Sequence, residues 1–156
     1  MKVAVANDHR GYAMIEQIKA IVSQLGFECI DCSISGDQPV DYPDTAYIAS
    51  SVVADKKADR AILVCGTGIG MSIAANKIKG IRAALCYDEL AAKLSRGHND
   101  ANVLCLSGDL TGPMMVRKIV ETWLTTEFEA GRHLRRVKKI EAIEKGDDPR
   151  ELTTSQ

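Results

Sequence analysis

Apolar residues follow two different spacings along the chain. Short, nearly continuous apolar runs alternate with longer stretches in which apolar residues recur every three or four positions, as in buried strands and amphipathic helices. The runs predict strands over residues 2–7, 27–33, 60–65, 81–86 and 102–107. The stretches predict helices over 12–26, 44–58, 70–78, 88–97, 112–128 and 132–145, with Asp44 as the N-cap of the second.

This alternation predicts one α/β domain over residues 1–145, followed by a polar, flexible tail over 146–156. The expected domain has a five-stranded parallel sheet with right-handed crossovers, helices on both faces and a basic C-terminal helix. In such sheets ligands bind beyond the carboxyl ends of the strands. The residues that follow each strand are therefore the first candidates for a functional site.

Composition excludes several classes of protein. Of the 156 residues, 46% are hydrophobic and 26% are charged, as in an ordinary globular domain, and the net charge is −1. With only 4% aromatic residues and no overall positive charge, nucleic acid is not an expected partner. No apolar segment is long enough for a membrane helix, and the N-terminal apolar run is too short for a signal peptide. We expect a cytoplasmic protein.

The odd number of cysteines argues against a disulfide framework. Most of the five lie inside apolar runs, so free thiols are expected: Cys29, Cys32, Cys65, Cys86 and Cys105. Cys29 and Cys32 form a C-x-x-C inside a predicted strand, where chance and packing explain the pair better than redox chemistry. A thiol redox protein remains an alternative that alkylation would test.

The segment CGTGIG, residues 65–70, follows the most apolar strand. Its glycines lack the G-x-G-x-x-G spacing of dinucleotide sites, and no lysine stands where a P-loop requires one. Glycines at the start of a helix do offer backbone N–H groups to a phosphate or to a reaction oxyanion. Cys65 is either a thiol activated beside this loop or simply the last core residue of its strand.

Other polar residues favour a reactive site. Asp8 and His9 follow the first strand, and His98 and Asn99 are expected in a loop before the fifth, near the same sheet edge as Cys65. A metal site is disfavoured because no ligand spacing typical of zinc is present. Two arginines four residues apart suit a phosphate or a solvated basic face: Arg132 and Arg136.

Five segments together resemble the type B ribose-5-phosphate isomerases and the related galactose-6-phosphate isomerases: NDHRGY, DYPD, CGTGIGMSIAANKIKGIRAAL, SRGHNDANVL and GRHLRRV. The resemblance runs from residue 1 to about 145, and the last segment is more similar to the ribose branch. It implies a Rossmann-like homodimer or dimer of dimers with shared active sites. It also implies aldose–ketose isomerisation of a sugar phosphate without a metal or a cofactor.

The resemblance also implies roles for individual residues. Cys65 matches the base at C2, assisted by Thr67, and His98 matches the residue that opens the sugar ring. The matching anion-hole backbone belongs to Gly66, Gly68, Ile69 and Gly70. The matching substrate contacts are Asp8, His9, Asp41, Tyr42 and Asn99. The matching phosphate ligands, which can come from the other subunit, are Arg132 and Arg136.

One position departs from the family pattern. Ribose-type members usually carry a phosphate-binding arginine where NVLCLSGDL has Asp109. Either other arginines compensate, namely Arg10, Arg132, Arg135 and Arg136, or the substrate differs. Ribose 5-phosphate is the expected substrate. The alternatives are tetrulose 4-phosphate, allose 6-phosphate or galactose 6-phosphate, or a non-catalytic sugar-phosphate-binding subunit.

Overall fold

Strands and helices alternate along residues 1–34, 36 and 38–152, the part of the chain that the computed structural model describes. The strands are β1 Lys2–Asn7, β2 Glu28–Asp31, β3 Arg60–Cys65, β4 Ala83–Leu85 and β5 Val103–Ser107. The helices are α1 Tyr12–Gln24, α2 Tyr42–Ala54, α3 Ile69–Ala75, α4 Glu89–Asn99, α5 Pro113–Thr125 and α6 Arg132–Lys145.

The five strands form one parallel sheet in the order β2-β1-β3-β5-β4. The central strand β3 is buried along its whole length because helices cover both faces of the sheet. In the sheet, β2 lies on one side of β1 and β3 lies on its other side. The carboxyl ends of β1 and β3 therefore flank the point where strand order reverses, which is where open α/β sheets bind ligands.

The two faces of the sheet are packed differently. On one face, α1 and α5 contribute large side chains, among them Ile18, Ile119 and Trp123, to a core with β-strand valines and leucines. On the other face, α2 and α3 contribute mainly alanines, including Ala46, Ala49 and Ala75. Small side chains let these two helices approach the strands closely, so the start of α3 lies directly beside the end of β3.

The predicted α/β class, strand number and basic last helix are confirmed. The second helix begins at Tyr42, before the predicted Asp44, because Pro43 is tolerated in a first helical turn and Asp41 occupies the N-cap position. The fourth helix continues to Asn99, where Asp100 ends it with a left-handed φ of 47°. His98 therefore lies in the last turn of a helix, and the predicted loop is wrong.

The end of the last helix agrees with the prediction. Gly146 adopts a left-handed φ of 84° and caps α6 directly after Lys145. The division into a domain over 1–145 and a tail over 146–156 stays a prediction. Residues 153–156 of that tail lie outside the described part of the chain.

Candidate active site

Cys65 ends β3 and opens the glycine loop. Its side chain is buried, with 4% of the residue exposed, and the backbone N–H of Gly68 donates to its Sγ at 3.2 Å. Thr67 is exposed, and its Oγ1 accepts from the N–H of Ile69 at 3.3 Å. The chain thus turns tightly around the sulfur, and the backbone N–H of Gly68 faces the thiol.

Each glycine of this loop has a neighbour where a side chain would stand. Gly68 has a φ of 78°, and a Cβ there would lie 2.5 Å from the Leu85 side chain. A Cβ at Gly70 would lie 2.5 Å from the ring of Tyr42. Glycine is therefore required for the left-handed turn at one position and for the close approach of an aromatic ring at the other.

The loop after β1 lies next to the glycine loop. The N–H of Asp8 donates to the carbonyl of Val64 at 3.0 Å, and its carboxylate accepts from the N–H groups of Arg10 and Gly11 at 2.9 and 3.0 Å. His9 Nδ1 accepts from the N–H of Val40 at 3.4 Å. These contacts bring Asp8, His9 and the start of α2, with Asp41 and Tyr42, to the same sheet edge as Cys65.

An ion pair crosses the same edge between the β1 and β5 loops. Nε and one terminal nitrogen of Arg10 donate to the carboxylate of Asp109, at distances from 2.6 to 3.2 Å. The pair lies against Gly66, where a Cβ would be 2.9 Å from Nε of Arg10 and 3.0 Å from Asp109. Asp109 is thus held by a cation of the same chain.

His98, Asn99, Arg132 and Arg136 lie at the opposite edge of the sheet. The N–H of Ala61, at the start of β3, donates to Asn102, and the N–H of Glu129 donates to Gly97. The helix before a parallel strand runs back to the strand's starting end, and β3 spans about 17 Å from Arg60 to Cys65. The expectation that His98 shares one edge with Cys65 is therefore wrong within one chain.

At this amino-terminal edge a cluster of His98, Glu129 and His133 forms. The two imidazole rings stack 4.0 Å apart, and one Glu129 carboxylate oxygen lies 3.6 and 3.7 Å from their Nε2 atoms. Burial, His98, Arg132 and Arg136 lower the pKa of His133, so this environment favours the neutral ring. Sequence reasoning assigned no role in the site to Glu129 or His133, although His133 stands inside the GRHLRRV segment.

Among the described residues, these three side chains also form a group that could offer ligands to a metal ion, since one ligand atom of each lies within 4.8 Å of the others. Two features of the cluster, however, do not suit a metal ion. The rings are parallel to within 8°, so their Nε2 lone pairs do not point at a common centre. Nε of Arg132 lies 3.5 Å from Nε2 of His133, where a second cation would be repelled.

A second ion-pair group fixes the end of α4. The Asp100 carboxylate accepts from Arg82 and Arg96, each at 2.9 Å, and Nε of Arg82 also donates to the carbonyl of Asn99 at 3.1 Å. These bonds satisfy carbonyls that a helix end leaves free. They hold His98 and Asn99 in a defined orientation at the amino-terminal edge.

The remaining cysteines are not placed for redox chemistry. Cys29 packs with the core on one face of the sheet and Cys32 on the other. Three residues of extended chain span about 10 Å, beyond the reach of a disulfide. Burial raises the pKa of both thiols, and raises the pKa of Cys86 to about 11. This geometry disfavours the C-x-x-C alternative.

The sequence profile of the Ribose/Galactose Isomerase family matches residues 3–140. The chain belongs to this family. Ribose-5-phosphate isomerase B of Escherichia coli is 43% identical over 143 residues, which cover 92% of this chain and 96% of the relative. D-erythrulose-4-phosphate isomerase of Pectobacterium atrosepticum is 39% identical over 142 residues, covering 90% and 93%.

Solved structures agree with this assignment. Ribose-5-phosphate isomerase B of Clostridium thermocellum superimposes with a TM-score of 0.91 at 45% identity, covering 94% of this chain and 99% of that one. Family membership makes the chain an aldose–ketose isomerase of the sugar-phosphate type. None of the helices in the described ranges combines the length and apolarity needed to cross a membrane.

Proposed function

We propose that this enzyme interconverts ribose 5-phosphate and ribulose 5-phosphate through a cis-enediolate, with Cys65 as the base. The observation that carries the proposal is the thiol of Cys65 at the start of the glycine loop, where the backbone N–H of Gly68 faces the sulfur. Negative charge appears on the carbonyl oxygen when a proton leaves the neighbouring carbon. Donors fixed in place beforehand stabilise such charge by roughly 3–4 kcal/mol each.

The proposed reaction requires no net oxidant. The Cys65 thiolate takes the proton from C2 of the open aldose, and the electron pair of that C–H bond forms the C1–C2 double bond of the enediolate. The backbone of Gly66 to Gly70 holds the negative oxygen, with Thr67 beside it. A proton moves from O2 to O1, the thiol returns its proton to C1, and the ketose results.

Opening of the furanose ring requires a general acid and base, and the imidazole of His98 offers a nitrogen for each role. It lies at the far sheet edge from Cys65 of its own chain. We therefore infer that His98, Asn99, Arg132 and Arg136 reach the glycine loop of a second copy, in a homodimer or a dimer of dimers. Each site then combines a carboxyl edge from one copy with an amino edge from the other.

Exposed apolar side chains support such an assembly. Large apolar residues on α2 and α3 are half or more open to solvent in the single chain: Tyr47, Ile48, Ile69 and Ile73. The two helices pack against each other, and large apolar side chains exposed on neighbouring helices are typical of subunit contacts. Ile69 directly follows Gly68 of the glycine loop, so a second copy bound there would approach Cys65.

The size of the sugar is proposed from the named relatives. The Escherichia coli and Clostridium thermocellum proteins carry ribose-5-phosphate isomerase names, whereas the Pectobacterium atrosepticum protein carries a tetrulose phosphate name. Asp109 keeps the shorter sugar as the second candidate. A panel of tetrose, pentose and hexose phosphates, followed by deuterium exchange from solvent, ranks these substrates by kcat/KM.

Cys65→Ala tests the mechanism. We expect kcat to fall at least about a thousandfold, with loss of C2 deuterium exchange, because the base is removed. Cys29→Ala, which removes a half-buried thiol from the edge strand, is the matched control and retains wild-type rates. Cys65→Ala protein that is folded and exchanges deuterium at the wild-type rate would contradict the role of Cys65.

A further inference from the structure

The carboxyl edge of the sheet has few cations of its own. Five segments connect a strand to the helix that follows it: residues 8–11, 32–41, 66–68, 86–88 and 108–112. Arg10 is the only lysine or arginine of the sequence in these segments. Four aspartates of the described residues stand in the same segments: Asp8, Asp41, Asp88 and Asp109. A phosphate monoester, a dianion at neutral pH, would meet net negative charge from the chain that supplies Cys65.

Arg10 is fixed beside the mouth of the glycine loop. Its side chain is 57% exposed, yet the fork formed by Nε and one terminal nitrogen is held by Asp109 in a two-pronged ion pair. The backbone N–H of Arg10 is in turn fixed by the buried carboxylate of Asp8. An exposed arginine anchored at both ends loses less rotational freedom when it binds an anion.

The second terminal nitrogen of this guanidinium is available. Among the described residues it has no hydrogen-bond partner, since all the bonds of the side chain involve Nε and the other terminal nitrogen. A guanidinium presents five N–H donors, so one carboxylate can occupy one side while a phosphate oxygen is bound on another. The contact with Asp109 therefore orients Arg10 without using all its donors.

We propose that Arg10 is a phosphate ligand contributed by the chain that supplies Cys65. The substrate phosphate is then held from two sides, by Arg10 of this chain and by Arg132 and Arg136 of the second copy. The arginine that the family pattern places at position 109 is replaced in function by Arg10, and Asp109 orients it. This inference rests on the proposed function, because it assigns a ligand within the same site.

Arg10→Gln tests this role, with Arg150→Ala as the matched control. Arg150 forms the same two-pronged pair with Asp148, at 2.6 to 3.1 Å, in the segment after α6. Steady-state kinetics with a sugar phosphate and competition by inorganic phosphate are measured for each variant. We expect Arg10→Gln to raise KM and the phosphate inhibition constant roughly tenfold or more, with a much smaller change in kcat.

Three further readouts sharpen the test. Arg10→Lys, which keeps the charge, should fall between wild type and Arg10→Gln. The ratio of kcat/KM for phosphorylated over unphosphorylated sugar should drop by about the same factor as KM rises. Arg150→Ala should match wild type, because its ion pair lies in the segment after α6 and not in a loop of the carboxyl edge.

The inference is overturned if folded Arg10→Gln keeps the wild-type inhibition constant for phosphate, or if KM rises equally for phosphorylated and unphosphorylated sugars. The proposed function fails separately, when wild type isomerises no sugar phosphate. Stabilisation of each protein against heat by inorganic phosphate is then the remaining readout. If inorganic phosphate raises the unfolding temperature of wild type but not that of Arg10→Gln, the ligand role is supported without any turnover. Equal increases in the two proteins contradict it.

Discussion

The two edges of the sheet differ in their residue types and in the contacts that hold those residues. At the carboxyl edge, short loops hold a buried thiol, glycines and aspartates in place through backbone hydrogen bonds. At the amino edge, two stacked histidines lie against a glutamate, the exposed Arg132 and Arg136 stand in the first turns of α6, and an ion-pair group holds the end of α4. In the proposed reaction, the carboxyl edge binds the oxyanion, moves the proton and contributes Arg10 to the phosphate. The amino edge opens the ring and contributes two further arginines to the phosphate, so neither edge is complete alone.

This comparison teaches that a chemically complete set of residues in a sequence need not form one site in one chain. The parallel α/β arrangement places the end of a helix and the carboxyl end of the following strand at opposite edges of the sheet, and β3 alone spans about 17 Å between those edges. A second copy removes that separation because symmetry can bring opposite edges of two chains together. The active form is therefore expected to be an oligomer.

The largest effect should come from mixing two inactive variants, Cys65→Ala and His98→Asn. If each site draws one residue from each chain, a mixed dimer contains one intact site. An equal mixture that exchanges freely should recover about a quarter of wild-type activity from near zero. Each variant is measured alone and after co-refolding, with two distinguishable tags so that mixed dimers can be isolated.

The control for this mixture is Cys65→Ala combined with Thr67→Ala. Both changes fall on the same edge, so no mixed dimer has an intact carboxyl edge and a gain in activity is not expected beyond that of Thr67→Ala. Isolated Cys65→Ala and His98→Asn mixed dimers without activity would show that the edges act within one chain or not at all.

A smaller but clear effect is expected from Gly68→Ala. The added Cβ meets the Leu85 side chain at 2.5 Å and the carbonyl oxygen of Leu106 at 3.0 Å, at a φ of 78°. Steric overlap and backbone strain together should lower the free energy of unfolding by roughly 2–4 kcal/mol. Urea unfolding, monitored by circular dichroism, measures this loss.

Gly80→Ala separates the two causes. Gly80 has a similar φ of 82°, but no atom lies within 4 Å of the added Cβ. Only backbone strain remains there, so we expect a loss of about 1 kcal/mol. Equal losses at both positions would mean that the glycine loop is not closely packed against Leu85 and Leu106, and the compact carboxyl edge described above would be wrong.

Much of the carboxyl edge could be predicted from the sequence because its signals are local. The apolar run before Cys65 gives the strand, and the glycines that follow give a tight turn, whatever the rest of the chain does. Hydrophobic spacing also gave the α/β class. The start of α2 was less predictable, because both Asp41 and Asp44 are residues that can precede a helix.

The amino edge could not be predicted in the same way, because its contacts join distant parts of the chain. The stack of His98 on His133 depends on how α6 packs against α4, which hydrophobic periodicity does not specify. The Arg10–Asp109 pair joins residues 99 positions apart. Sequence reasoning identified both residues as relevant to phosphate binding, but only their distance shows that one neutralises and orients the other.

The smallest expected effect concerns the pH dependence of stability at the amino edge. Burial and the nearby His98 and arginines lower the pKa of His133 in the folded protein. The unfolded chain therefore binds this proton more readily, and stability falls as pH drops through the ordinary histidine pKa towards the lower folded value. His133→Gln removes this loss, so its free energy of unfolding should differ less between pH 7.5 and pH 5.5.

Glu129→Gln should change the pH dependence of the free energy of unfolding in the opposite direction. The carboxylate of Glu129 raises the pKa of His133, against the effect of burial and the cations. Without it the folded pKa falls further, so more stability should be lost between pH 7.5 and pH 5.5 than in wild type. Urea unfolding at one protein concentration compares the three proteins. If both variants flatten the profile, Glu129 does not act on His133 as the geometry indicates, and the histidine cluster titrates through another group.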